Sequence, residues 1–291
     1  MYPYFEKVVG LLKSLSLQVG IASNGTDFKK IENICHLLGK KDWVRLSLDA
    51  GIDKTFQKIH HPRIKVTLDE IMAGVRKMRQ KNSDIQIGYS FLIIGDDKKV
   101  NKVPLAKNIG EIALAARLAK ENGFNYLSLK PFINPEGSRE TTLSKKNSKE
   151  IKTEIKKARE LEDDNFKVIE SINLLCFYDK NLEKAMRRQP RTCHAQFFRQ
   201  VVMPAGICSC SLWRGFANTK IIDSNQKITN EYYQKLHQNR KKLIADLNAK
   251  EICKKVNCLY APLNCWIETL VNSPEKIEEL KPINDFGDYF L

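Results

Sequence analysis

The chain has 291 residues, 42% of them hydrophobic and 29% charged, which is the balance of a globular protein with a core and excludes a disordered or fibrous chain. Its formal net charge is +15, but lysine is spread over the whole length and no arginine-rich run interleaves with aromatics, so the charge does not point to nucleic acid. No apolar run approaches the ~20 residues that span a bilayer. The opening Met1-Tyr-Pro-Tyr-Phe-Glu-Lys7 lacks the basic-then-apolar layout of a secretory signal. The expectation is a cytoplasmic protein with no membrane partner, in a reducing compartment where clustered cysteines serve as metal ligands or catalytic thiols rather than disulfides.

In chain order, Pro3–Ser16 has the apolar spacing of an amphipathic helix. Leu17–Ala22 reads as a strand running into the tight turn Ser23-Asn24-Gly25-Thr26. A helix follows with Ile31, Ile34, Cys35, Leu37 and Leu38, capped by Asp27 or Thr26 and stopped at Gly39. Trp43–Leu48 is the second strand, ending at Asp49-Ala50-Gly51. A short helix over Lys54–Ile59 and a longer one from Leu68 to Arg79 come next, the longer one capped by Thr67 or Asp69. Ile85–Ile94 is the third strand, ending at Gly95-Asp96-Asp97. An alanine- and leucine-rich helix over Ile109–Glu121 stops at Gly123, and Tyr126–Lys130 is the fourth strand.

This alternation, with crossovers long enough for right-handed βαβ units, predicts a parallel sheet. Ligands in such sheets sit beyond the carboxyl ends of the strands. Here those ends carry Ser23 and Asn24, Ser47 and Asp49, Ile94 and Gly95, and Lys130. The charged stretch Ser144–Asp163 reads as a solvated surface helix linking two regions, Phe166–Ile169 as a further strand and Leu182–Arg188 as a helix. Glu231–Leu247 is another helix, and Pro274 opens a short one. There is no phosphate loop, no Gly-x-Gly-x-x-Gly and no histidine-based triad or metal motif. His60 and His61 read as loop residues before Pro62, and His194 as a surface residue.

Six of the eight cysteines lie between Cys193 and Cys265. Val201–Met203, the turn Pro204-Ala205-Gly206 and the return through Ile207 read as a hairpin, with Cys193 before it and Cys208 and Cys210 after its turn. Cys253-Lys-Lys-Val-Asn-Cys258 adds a Cys-x4-Cys turn. Cys193, Cys210, Cys253 and Cys258 supply four thiolates, with Cys208 and Cys265 as substitutes, and four thiolates suit either tetrahedral zinc or an iron–sulfur cluster. Gly206 in the turn would let backbone amides approach cluster sulfurs. Cys35 and Cys176 sit among apolar residues and read as core.

Together, Ile21-Ala-Ser-Asn-Gly-Thr26, Val44-Arg-Leu-Ser-Leu-Asp-Ala-Gly51 with Lys54–His60, and Phe91-Leu-Ile-Ile-Gly95 resemble radical SAM enzymes. The segment from Cys193 through Val201–Cys210 to Cys253-x4-Cys258 resembles the SPASM or twitch extension of that family. The resemblance covers residues 3 to 270 and rests on order and spacing. It implies a partial parallel (β/α) barrel over 1–140, a helical linker over 141–192, a small cysteine-rich α+β domain over 193–265 and a C-terminal helix and tail over 266–291. By the same resemblance, Ser23, Asn24, Ser47, Asp49, Ile94, Gly95 and Lys130 would line the mouth that takes S-adenosylmethionine, and the cysteine domain would hold an auxiliary [4Fe-4S] cluster.

The family's Cys-x3-Cys-x2-Cys and Gly-Gly-Glu-Pro motifs are absent from these residues. The expectation is a truncated chain whose barrel lacks its first βαβ unit. S-adenosylmethionine and the second, radical-generating [4Fe-4S] cluster would then belong only to a complete chain. There one electron cleaves S-adenosylmethionine to a 5′-deoxyadenosyl radical that takes hydrogen from a peptide or small-molecule substrate, with a flavodoxin or ferredoxin as electron donor. This chain alone is expected to be inactive in that reaction. The alternative is a non-catalytic zinc- or cluster-binding module, with RNA as its partner.

Overall fold

Five parallel strands, Gly20–Ser23, Trp43–Ser47, Gln86–Ile93, Tyr126–Pro131 and Lys167–Glu170 in that order across the sheet, organise the first half of the protein. The computed structural model describes residues 3–95, 99–100, 103–104, 106–133, 141, 143–214 and 219–281. These fall into two compact units, one ending at Tyr178 and the other beginning at Asp179.

In the first unit, α1 (Phe5–Ser14) leads to β1 (Gly20–Ser23), α2 (Phe28–Ile34) and β2 (Trp43–Ser47). Two helices, α3 (Asp53–His60) and α4 (Leu68–Lys81), lie between β2 and β3 (Gln86–Ile93). Thr67 caps α4 through a full capping box with Glu70, which satisfies amide groups that the first turn leaves unpaired. After a small antiparallel ribbon, β4 (Lys99–Val100) with β5 (Val103–Pro104), α5 (Ile112–Glu121) leads to β6 (Tyr126–Pro131). Then come α6 (Asn147–Arg159), β7 (Lys167–Glu170) and α7 (Ile172–Tyr178).

Alternation along each strand separates two faces. Ile21, Val44, Leu46, Ile87, Tyr89, Phe91, Leu127, Leu129 and Val168 enter one buried core. All four crossovers contribute to it, through Ile31 of α2, Ile71 and Val75 of α4, Ile112 and Ala116 of α5, and Ile151 and Ala158 of α6. Each large aliphatic side chain buried this way contributes ~1.5–3 kcal/mol.

The other face carries Gly20 and Ala22 of β1, Trp43, Arg45 and Ser47 of β2, Gly88, Ser90 and Leu92 of β3, and Tyr126, Ser128 and Lys130 of β6. Register aligns Ser47, Ser90 and Ser128 in one row and Arg45, Gly88 and Tyr126 in the row below. The glycines make room for rings: a Cβ on Gly20 would overlap the Trp43 indole, and one on Gly88 the Tyr126 ring. This face is polar where its opposite is aliphatic.

The structure places Ser144–Asp163 differently from a linking helix. Its α6 is the crossover between β6 and β7, and Ile151, Ile155 and Ala158 are buried in the core. The stretch is dense in lysine and glutamate, and three apolar positions at spacing 4 and 3 suffice to seat it. The division between units accordingly falls at 178/179 and not at 140/141.

The second unit begins with α8 (Lys180–Arg187), capped by the Asp179 carboxylate. A 3-10 turn over His194–Phe197 precedes the hairpin of β8 (Val201–Met203) and β9 (Gly206–Cys208). A third strand, β10 (Lys220–Asp223), pairs antiparallel with β9. Helices α9 (Asn230–Asp246), α10 (Ala249–Ile252) and α11 (Ala261–Asn272) follow, and a 3-10 turn covers Pro274–Ile277. Gly206 opens β9 at φ +133°, and a Cβ there would collide with the Ile222 carbonyl of β10. Its smallness serves the close approach of β10. No helix among the described residues is long and apolar enough to cross a membrane.

Candidate functional site

At the carboxyl ends of the strands in the first unit, several of the expected residues hold the backbone. Ser23 Oγ accepts from Gly25 N at 3.1 Å, and Asn24 Oδ1 accepts from Thr26 N at 3.2 Å and Thr26 Oγ1 at 2.8 Å. Both side chains therefore close the turn after β1. Asp49 is 3% exposed and sits in the left-handed region at φ +55°. Its Oδ1 accepts from Leu92 N at 2.7 Å, and its Oδ2 lies 3.2 Å from His60 Nε2. Ile94 is buried, its amide donating to Asn108 Oδ1 at 2.8 Å. Gly95 leaves room for Asn147 of α6.

Asn108 is the brace of this end. Its Nδ2 donates to the Asp49 and Leu92 carbonyls, both at 2.8 Å, so one buried amide ties the ends of β2 and β3 to the chain before α5. Glu111 does similar work, accepting from Gly51 N at 2.7 Å and from Thr55 Oγ1. Neither residue carries a sequence signal of its role. Nor does His60, which is half-buried against Asp49 rather than a free loop residue.

Two expected residues belong to the polar face itself: Ser47 and Lys130. Burial first, and then the Arg45 guanidinium, bring the Lys130 ammonium down to about 8, while Asp49 pulls the other way. Arg45 packs over the Trp43 indole at 5.2 Å. Neither cation has an ion-pair partner among the described residues. Arg45, Ser90 and Ser128 escaped the sequence reading, although their period-2 polar spacing within the strands was the available signal.

In the second unit Cys193, Cys210, Cys253 and Cys258 act electrostatically on one another. Burial pushes the Cys253 thiol up to about 11, and Cys258, Cys193 and Cys210 add to the rise. Burial also raises Cys258, with Cys193 and Cys210 again contributing.

Two of the four sulfurs, those of Cys193 and Cys210, have an N–H donor at hydrogen-bond distance. Asn264 Nδ2 lies 3.6 Å from Cys193 Sγ, and Arg199 Nη2 lies 3.2 Å from Cys210 Sγ. The Trp213 side chain acts to lower the Cys253 thiol, and the Tyr260 backbone the Cys258 thiol, each against the larger rise from burial. Asn264 is fully buried and holds its orientation by donating to Gln189 Oε1 at 2.9 Å and accepting from Ala195 N at 2.9 Å. Two further buried donors, Gln189 Nε2 and Arg199 Nε, have no partner. A pocket of N–H groups around sulfur favours the thiolate and suits anionic, sulfide-bearing ligands.

Cys208 is buried within β9, and the Cys265 thiol on α11 donates to the Arg188 carbonyl at 3.6 Å. His194 is 7% exposed and bonds Glu268 at 2.6 Å, so it is no surface residue. Among the described residues, no three of His, Cys, Asp or Glu are grouped so as to hold one metal ion. No protein-family model matches this chain, and no curated protein matches it.

Proposed function

We propose that the second unit is an auxiliary cluster domain in which Cys193, Cys210, Cys253 and Cys258 hold one [4Fe-4S] cluster, and that the chain belongs to the radical SAM class with a SPASM- or twitch-type extension. The observation that supports this reading is that the four thiols act electrostatically on one another, with N–H groups of Arg199 and Asn264 on the Cys210 and Cys193 sulfurs. A single tetrahedral zinc would draw four sulfurs to about 3.8 Å of one another. A cuboidal cluster would take one thiolate per iron and so use all four cysteines. A bound cluster would supply a one-electron carrier or an iron open to substrate.

On the same reading the five-stranded sheet is part of a (β/α) barrel, and its polar face is the interior. Ser47 and Lys130 stand on that face, and Asp49, His60 and Asn108 brace the strand ends beside it. These residues would receive S-adenosylmethionine and a peptide or small-molecule substrate in the cytoplasm, when the radical-generating cluster is supplied. This chain's own contribution is to orient the ligand and exclude water.

Single Cys→Ser variants test the ligand set. After anaerobic reconstitution with iron and sulfide, C193S, C210S, C253S and C258S should each lose most of the visible charge-transfer absorption. C208S and C265S should keep it. Equal retention in all six would sink the assignment.

A further inference from the structure

Arg199 lies between the His194–Phe197 turn and β8, and no carboxylate pairs with it among the described residues. Its cationic head is turned on sulfur instead. Nη2 is 3.2 Å from Cys210 Sγ, and the charge also acts on Cys258. The guanidinium packs on the Tyr260 ring at 4.2 Å. Its Nε is buried and without a partner. A planar cation held by an aromatic face loses little freedom when it presents its donors, and it keeps its charge at any working pH.

From this arrangement we infer that Arg199 is the residue that sets the reduction potential of the cluster site, with Tyr260 holding it in place. The inference rests on the four-cysteine reading proposed above. Four thiolates on a [4Fe-4S] core give the site a net negative charge, and reduction adds one electron to the iron with the thiolates unchanged. Placing more negative charge beside a fixed cation is favourable, so Arg199 makes the site easier to reduce. Asn264 donates to the Cys193 sulfur without carrying charge, and it does not substitute for Arg199. Arg199 Nε, buried and without a hydrogen-bond partner among the described residues, would supply a second donor to a bound cluster.

The full chain, its R199Q, R199K and Y260L variants, and their iron and sulfide contents are compared after anaerobic reconstitution. Each is then titrated with dithionite in mediator buffers, the reduced cluster being followed by electron paramagnetic resonance. R199Q should keep its iron and sulfide, and its reduction equilibrium should shift at least tenfold toward the oxidised form, about 59 mV for one electron. R199K and Y260L should shift the same way by less, since each keeps a cation but loosens its placement. A loaded cluster with an unchanged potential in R199Q overturns the inference and leaves the cluster reading standing. If R199Q fails to load, R199K and Y260L decide, and unchanged potentials in both overturn it. A wild-type chain that binds no iron and sulfide overturns the cluster reading and this inference with it.

Discussion

Lys130 shows how a single charge couples the sheet's polar face to stability. Its ammonium has been brought from 10.5 down to about 8, first by burial and then by Arg45. Below pH 8 both folded and unfolded chains hold the proton, and the folded chain carries the whole cost. As pH rises from 8 to 10.5 the folded chain loses that proton first, so the unfolded chain binds more protons and stability rises. Lys130→Met should therefore stabilise the chain by roughly 2 kcal/mol at pH 7, with the gain fading as pH approaches 10.5. Urea denaturation of both chains across that range checks it. A gain independent of pH would place its cause in packing. The same position was marked in the sequence as a strand end, but Arg45, two residues after Trp43, was not: an arginine inside a strand looks like an exposed side chain until the pairing of β2 with β3 sets its face.

The strand ends depend on braces that lie far off in sequence. Asn108 joins Asp49, Leu92 and Ile94 through three hydrogen bonds, all made within a buried setting. Asn108→Ala leaves an amide and two carbonyls without that partner and should cost about 3 kcal/mol, read as a lower urea midpoint with an unchanged slope. A loss under 0.5 kcal/mol would show that water replaces the side chain without penalty. Helices and strands were legible because apolar periodicity writes them locally: α4 begins at its Thr67 cap, and β1, β2, β3 and β6 fall where alternation placed them. The function of α6 was not legible, because a helix with few apolar positions looks alike on a surface and across a sheet. Only the pairing of β6 with β7 distinguishes the two. The third strand of the small sheet, β10, is four residues long and too short for its pattern to stand out.

At the scale of the whole molecule, the sequence order of motifs and the two units speak to different questions. A parallel α/β sheet follows from alternation alone, and the five strands have that form. The four cysteines were singled out by spacing. The donors to Cys193 and Cys210 were not, since Asn264 and Arg199 lie 65 residues apart (264 minus 199) and no local pattern joins them. Those two donors bear most on the proposed chemistry, because an N–H group on sulfur is what a negatively charged cluster would use. The most direct measurement is the iron, sulfide and zinc content of the full chain after anaerobic reconstitution and removal of unbound metal. About four iron and four sulfide per chain are expected, whereas one zinc per chain with no sulfide would contradict the cluster assignment.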